Sequence, residues 1–158
     1  LIRGNIDTRI KKLEEGNYDA IILSKAGINK LNLNNKITEE FHTDEIIPCA
    51  GQGIISIQCR DNDIEMKKLL ENINDNATRI LANTEREVLK TLEGDCDTAI
   101  GVFSNIDGDK INLISELFSV DGKHRYFMKE SKNKNLAKEL GREMGEALKL
   151  KSDGSYKR

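Results

Sequence analysis

The sequence predicts two architectures in succession: an α/β segment, then an α+β domain whose three-stranded antiparallel sheet is covered by helices. Three observations carry this reading. Near the start, the helix-period stripe Ile6, Ile10, Leu13 gives way after Gly16 to an apolar run of strand length, Tyr18 to Leu23. Beyond Ala99 the apolar period becomes that of strands, punctuated by Asp107-Gly108 and Asp121-Gly122. Helical spacing then returns, with Leu136, Leu140, Met144 and Leu148 at steps of four. Helices gathered on one face of an antiparallel sheet bury such a set of stripes.

Taken in order, Asn5 is a candidate N-cap for the first helix, and Gly16 ends it. Tyr18 to Leu23 reads as a buried parallel strand, and Asn32 to Thr43 as a short helix with loops around Ile37 and Phe41. Pro48 to Gly53 punctuates the chain as a hinge, with Ile54 to Cys59 a strand beyond it. Asp63 is a candidate cap for a helix bearing Ile64, Leu69, Leu70 and Ile73. A longer helix from about Ala77 to Glu93 places Ile80, Leu81, Val88 and Leu92 on its inner side. Strands follow over Ala99 to Asn105, Ile111 to Val120 and His124 to Lys129, each separated by an Asp-Gly turn. In the last helix Gly141 and Gly145 lower the propensity slightly, and the polar tail from Ser152 is expected to fray. Three parts result: 1–50, a hinge and crossover over 51–75, and 76–158.

Charged residues make up 33% of the 158, aromatics 4%, and the net charge is −2 with both signs interspersed, which indicates neither nucleic acid nor an acidic tail as partner. Three irregularly spaced cysteines argue against a disulfide framework and for a reducing, cytoplasmic compartment. No Cys-x-x-Cys or histidine cluster suggests a metal site; His42 and His124 read as surface residues. No apolar run has the length of a membrane span, so no membrane partner is expected.

Cys96 sits between a helix stop at Gly94 and a strand start, a position that exposes its thiol. Glu93, Asp95 and Asp97 surround it and, with the negative helix end, disfavour a thiolate. That excludes a fast redox or protease nucleophile, yet suits a thiol that reacts once and then holds something permanently. Standing alone, Cys96 would read as an idle loop cysteine. Cys49 and Cys59 read as buried small hydrophobes.

Three stretches change that balance: Arg3-Gly4-Asn5-Ile6-Asp7-Thr8-Arg9 running on to Ala26-Gly27; Pro48-Cys49-Ala50-Gly51-Gln52-Gly53 with Ile57-Gln58-Cys59-Arg60; and Glu85-Arg86 with Leu92-Glu93-Gly94-Asp95-Cys96 and Ile100-Gly101. In order and spacing they resemble the porphobilinogen deaminases (hydroxymethylbilane synthases), transferases of porphyrin and heme biosynthesis. The resemblance implies part of a periplasmic-binding-protein-like second domain followed by the third domain. It also implies a dipyrromethane cofactor on Cys96, porphobilinogen as substrate, and four condensations with loss of ammonia that give hydroxymethylbilane. Because Arg3 already belongs to a matching stretch, the chain is expected to be a C-terminal piece, inactive alone and without loaded cofactor. The family's catalytic aspartate is expected in a preceding part, so no residue here is assigned a catalytic role. The whole enzyme is expected to be a monomer, the piece to self-associate through unpaired strands.

A pyrrole chain accumulates acetate and propionate arms, so its site needs fixed cations, best arginines with their planar forks. The resemblance assigns Arg3 and Arg9, at a helix start that favours anions, to cofactor and substrate carboxylates. Ser24, at the carboxyl end of the expected strand Ile21-Ile22-Leu23, and Gln52, in the loop that resembles the family's, are assigned to the cofactor; a helix cap and a tight-turn residue are their alternatives. Lys30 stands where the family usually has another arginine and is assigned to substrate, with the charge kept and the fork lost. Asp95, Asp97, Thr98 and Ala99 depart from the family's Gly-Gly-Cys-Gln-Val-Pro-Ile-Gly, while Gly94, Cys96, Ile100 and Gly101 keep it. The competing reading is a stand-alone anion-binding module in which Arg3 and Arg9 hold a metabolite and Cys96 is idle.

Overall fold

In the computed structural model, which describes residues 2–94 and 97–157, the chain divides between Phe41 and His42 into two units. In the first, helix α1 (Ile6–Glu14) starts where the sequence placed it, with Asn5 extended at the N-cap but making no side-chain capping bond. Asp7 instead accepts the Thr8 amide at 2.8 Å. Ile10 turns inward and is buried. A short helix α2 (Lys25–Lys30), not anticipated from the sequence, takes in Ala26 and Gly27 and buries Ile28. A Cβ on Gly27 would lie 2.3 Å from Ile6 Cδ1, so the missing side chain is what lets α2 touch the first turn of α1. Lys36, in a 3-10 turn at Asn34–Lys36, pairs with Glu14 at 2.5 Å.

The expected strand at Tyr18 to Leu23 does not form, and Ile22 is 73% exposed. The same holds for Ile54 to Cys59, where Ile55 is 90% exposed. A strand satisfies its amides only through a neighbour, and among the described residues neither run has one.

In the second unit, from His42 onward, the first two helices begin at aspartates. Asp63 accepts the Met66 amide at 3.0 Å to cap α3 (Ile64–Glu71), and Asp75 accepts the Thr78 amide at 2.6 Å to cap α4 (Asn76–Leu92). Strands β1 (Ile100–Asp107), β2 (Lys110–Phe118) and β3 (Arg125–Asn133) form an antiparallel meander in the order β1-β2-β3. The first hairpin turns on Gly108 and Asp109, one residue later than the Asp107-Gly108 motif, because Asp107 pairs with Lys110 and Gly108 takes φ +58°.

Register sets Val102 opposite Ser115, and Ser115 opposite Met128. One sheet face therefore carries Val102, Ile111, Leu113 and Leu117, which meet Val88 and Leu92 of α4 and Leu140, Met144 and Leu148 of helix α5 (Ala137–Ser152). Helices α4 and α5 run parallel. Gly141 lies against Thr84 and Glu87, and Gly145 against Val88 and Thr91; a Cβ at Gly141 would sit 2.4 Å from the Thr84 carbonyl oxygen. What propensity reads as weakness in α5 is therefore the condition for its close approach to α4. Leu136 is excluded from the apolar stripe: it precedes the helix and is exposed.

The tail is docked rather than frayed. Tyr156 is buried and its hydroxyl donates to the Leu92 carbonyl at 2.8 Å, serving one of the orphan acceptors at the end of α4. The Val120 amide donates to the Ser155 carbonyl at 2.9 Å. Among the described residues, no helix is long and apolar enough to cross a membrane.

Candidate functional site

In the first unit, Arg9 lies one turn into α1 and its Nε donates to the Gly4 carbonyl at 2.7 Å, which holds the guanidinium beside the helix start. Lys12 Nζ donates to the Arg3 carbonyl at 3.0 Å and ties that backbone to the same helix, leaving the Arg3 side chain exposed. Lys11, Lys25 and Lys36 each pair with a glutamate (Glu15, Glu40 and Glu14). No carboxylate among the described residues pairs with Arg3, Arg9 or Lys30. Three of the unit's lysines are thus paired, while the guanidinium groups at the start of α1 and Lys30 have no carboxylate partner among the described residues.

Ser24 occupies the N-cap position of α2 but makes no side-chain capping bond, so its hydroxyl is uncommitted. The Ile6–Gly27 contact brings the starts of α1 and α2 together. Lys30 is at the opposite end of α2, about 9 Å along the axis, and is exposed. A cavity of about 500 Å³ in this unit is lined by Lys25, Asn29, Asn34 and Glu40 and includes none of Arg3, Arg9, Ser24 and Lys30; its one cation is already held by Glu40 at 2.5 Å.

In the second unit, Gly51 and Gly53 take φ values of +76° and +81°, so the turn carrying Gln52 needs glycine on both sides. Gln52 is exposed; its amide donates to the Cys49 carbonyl at 3.0 Å, and its side-chain oxygen accepts from Cys49 Sγ at 3.2 Å. Cys49 is exposed and Cys59 half-buried, contrary to the expectation of two core thiols, because both lie in surface segments without a covering element.

Glu85, given no role from the sequence, fixes this turn to the sheet. Its buried carboxylate accepts the Gly51 amide at 2.7 Å through one oxygen. The other oxygen accepts the Ser104 amide at 2.9 Å and hydroxyl at 2.8 Å. The signal was legible: Glu85 interrupts the stripe Leu81, Val88, Leu92, and an acid in an apolar stripe needs buried donors. Just ahead of the turn, the Pro48 carbonyl accepts the Val102 amide at 2.8 Å. A Cβ at Gly101 would lie 2.6 Å from the Ile47 carbonyl oxygen, which explains the glycine.

Cys96 and Asp95 lie outside the described residues. Their approach is visible: α4 ends at Leu92, and Glu93 takes the left-handed conformation at φ +54°. Its carboxylate accepts from Lys149 at 2.9 Å and from Lys157 at 3.1 Å; the bond from Lys149 foremost, then that from Lys157, holds it below the usual glutamate range. Of the three acids that the sequence sets around Cys96, Glu93 is therefore compensated by two lysines.

Residues 1–68 match the family described as "Porphobilinogen deaminase, dipyromethane cofactor binding domain", and residues 77–150 match "Porphobilinogen deaminase, C-terminal domain". Curated relatives named porphobilinogen deaminase include those of Coxiella burnetii (40% identical over 140 residues, 89% of this chain and 46% of the relative) and Exiguobacterium sp. (36% over 148 residues, 93% and 48%). A third, from Fusobacterium nucleatum, is 44% identical over 112 residues, 71% of this chain and 38% of the relative. The chain spans about half the length of the curated relatives it matches. With two domains of one family matched in succession along nearly all of its residues, the chain belongs to the porphobilinogen deaminase family.

Proposed function

We propose that the protein serves tetrapyrrole biosynthesis by joining four porphobilinogen molecules, with loss of ammonia, into hydroxymethylbilane, and that Cys96 carries the dipyrromethane. The observation that carries this reading is the pair of arginines without carboxylate partners, Arg3 and Arg9, at the start of α1 within the stretch matched by the cofactor-binding domain. A donor set of one exposed and one half-buried guanidinium group at a helix start fits a ligand made of pyrroles with acetate and propionate arms. When bound, the dipyrromethane supplies the nucleophilic pyrrole carbon from which the chain is extended.

In this reading Arg3 and Arg9 hold carboxylates of cofactor and substrate in fixed positions, so that reacting carbons meet without a search through solvent. The uncommitted Ser24 hydroxyl and the Gln52 side-chain amide donate to the cofactor's remaining carboxylates. Lys30 supplies an undirected charge for incoming substrate. No acid in the chain is assigned to steady the pyrrole nitrogens, so the 158 residues alone are inactive. Residues 1–50 act as the carboxylate-binding part of a periplasmic-binding-protein-like domain, 51–75 as a crossover, and 76–158 as the carrier of Cys96, in a cytoplasmic monomer. The exposed Ile55, Ile57, Leu69 and Ile73 support self-association of the chain alone.

The test is formation of hydroxymethylbilane from porphobilinogen by the protein as its gene encodes it. Arg9→Leu is expected to lower turnover between about tenfold and a hundredfold, the worth of one charge-assisted bond, with the fold unchanged by circular dichroism. Lys30→Arg is expected to be neutral or mildly favourable. Unchanged turnover in Arg9→Leu would leave the anion-module alternative standing.

A further inference from the structure

A groove of about 660 Å³ lies where α4 meets the first turn of α5 and the 3-10 turn at Lys134–Leu136. Cations from three elements line it: Arg86 and Lys90 of α4, Lys134 of the turn, and Lys138 of α5. One carboxylate, Glu87, lines it as well, so four positive charges face one negative. Lys134 is already engaged by Asp109 at 2.8 Å, whereas no carboxylate among the described residues pairs with Arg86, Lys90 or Lys138. The contrast with nearby Lys132, which pairs with both Glu139 and Glu143, shows that α5 does not lack acids; they are on a different side.

Arg86 and Lys90 are four residues apart on one helix, a like-charge spacing that costs stability unless something neutralises it. The first turn of α5 lines the same groove through Ala137 and Lys138. It continues the 3-10 turn, and the Ala137 amide donates to the Lys134 carbonyl, so the cations rather than the helix start supply the attraction. Ile80 and Ala137 supply an apolar floor that excludes water from one side of whatever the cations hold.

We propose that this groove binds a compact polyanion bearing two or more phosphate or carboxylate groups. Arg86 provides the planar fork for one group, and Lys90 and Lys138 provide point charges for the others. The site is independent of the residues assigned above to pyrrole carboxylates.

The experiment is titration of the isotope-labelled full chain with inorganic pyrophosphate and, separately, with propane-1,2,3-tricarboxylate, followed by amide chemical shifts at constant ionic strength. Saturable shifts centred on Arg86, Lys90 and Ala137–Lys138 with either anion are expected. Pyrophosphate alone would identify a phosphate ligand, and the tricarboxylate alone a carboxylate one. Lys90→Gln, an exposed substitution, should weaken binding roughly tenfold. No saturable shift up to about 10 mM of either anion, where even a Kd of about 1 mM would register, overturns the proposal. Shifts centred elsewhere, or binding unaltered in both Lys90→Gln and Arg86→Gln, overturn it too.

Discussion

The carboxylate of Glu85 accepts the backbone amide of Gly51 at 2.7 Å, across 34 residues of chain. Through Ser104 the same side chain reaches β1, so a single buried acid joins α4, the sheet and the turn that presents Gln52.

Replacing Glu85 with Ala would strand the Ser104 amide and hydroxyl in the interior and release Gly51. The expected loss is about 3 kcal/mol or more, at roughly 1–3 kcal/mol for each buried donor left unsatisfied, read as a lower urea midpoint at unchanged slope. Amide exchange at Gly51 should accelerate in the same variant. A loss below about 1 kcal/mol would mean that the three bonds do not hold the turn.

The contact between α4 and α5 gives a prediction of opposite sign to helix propensity. Gly145→Ala should gain up to about 1 kcal/mol in an isolated helix. Here its Cβ would fall 2.6 Å from Thr91 Cβ and 3.0 Å from the Val88 carbonyl oxygen, both fixed by α4. The net effect should be destabilisation of about 1–3 kcal/mol, measured by thermal unfolding. A stabilised variant would contradict the parallel contact of the two helices.

Glu93 yields a pH dependence. Its folded carboxyl is held low, first by the bond from Lys149 and then by that from Lys157, so its contribution is present above the unfolded glutamate value and lost as pH falls through the folded one. Wild type should therefore exceed Glu93→Gln in stability at neutral pH, and the two curves should converge on acidification below the ordinary glutamate range. High salt should narrow the gap, because the side chains are exposed. Equal pH dependence in both proteins would remove Glu93 from the acid-labile set.

Much of the second unit was legible because its local signals agree with one another. Asp63 caps where predicted, the three strands form in the predicted order, and Leu140, Met144 and Leu148 all face the core. What the sequence hid was pairing and reach. Tyr18 to Leu23 and Ile54 to Cys59 have strand composition, but composition supplies no neighbour to accept their amides. Gly141 and Gly145 look like flaws until Thr84 and Thr91 are seen against them, and the polar tail conceals Tyr156, whose hydroxyl finds the end of α4. Of the candidate site, Arg3 and Arg9 were proposed from a motif and Ser24 from the end of a strand that does not form; all three lie around the joined starts of α1 and α2. Glu85 stands within a motif, but its role is hidden in the sequence because its three donors come from two segments distant along the chain.

The proposal that Cys96 holds the pyrrole cofactor is open to intact-mass spectrometry of the protein as its gene encodes it. The expected result is a covalent adduct that peptide mapping places on Cys96, that disappears in Cys96→Ser, and that leaves Cys49 and Cys59 unmodified. An adduct surviving Cys96→Ser, or an unmodified protein that still converts porphobilinogen, would contradict it.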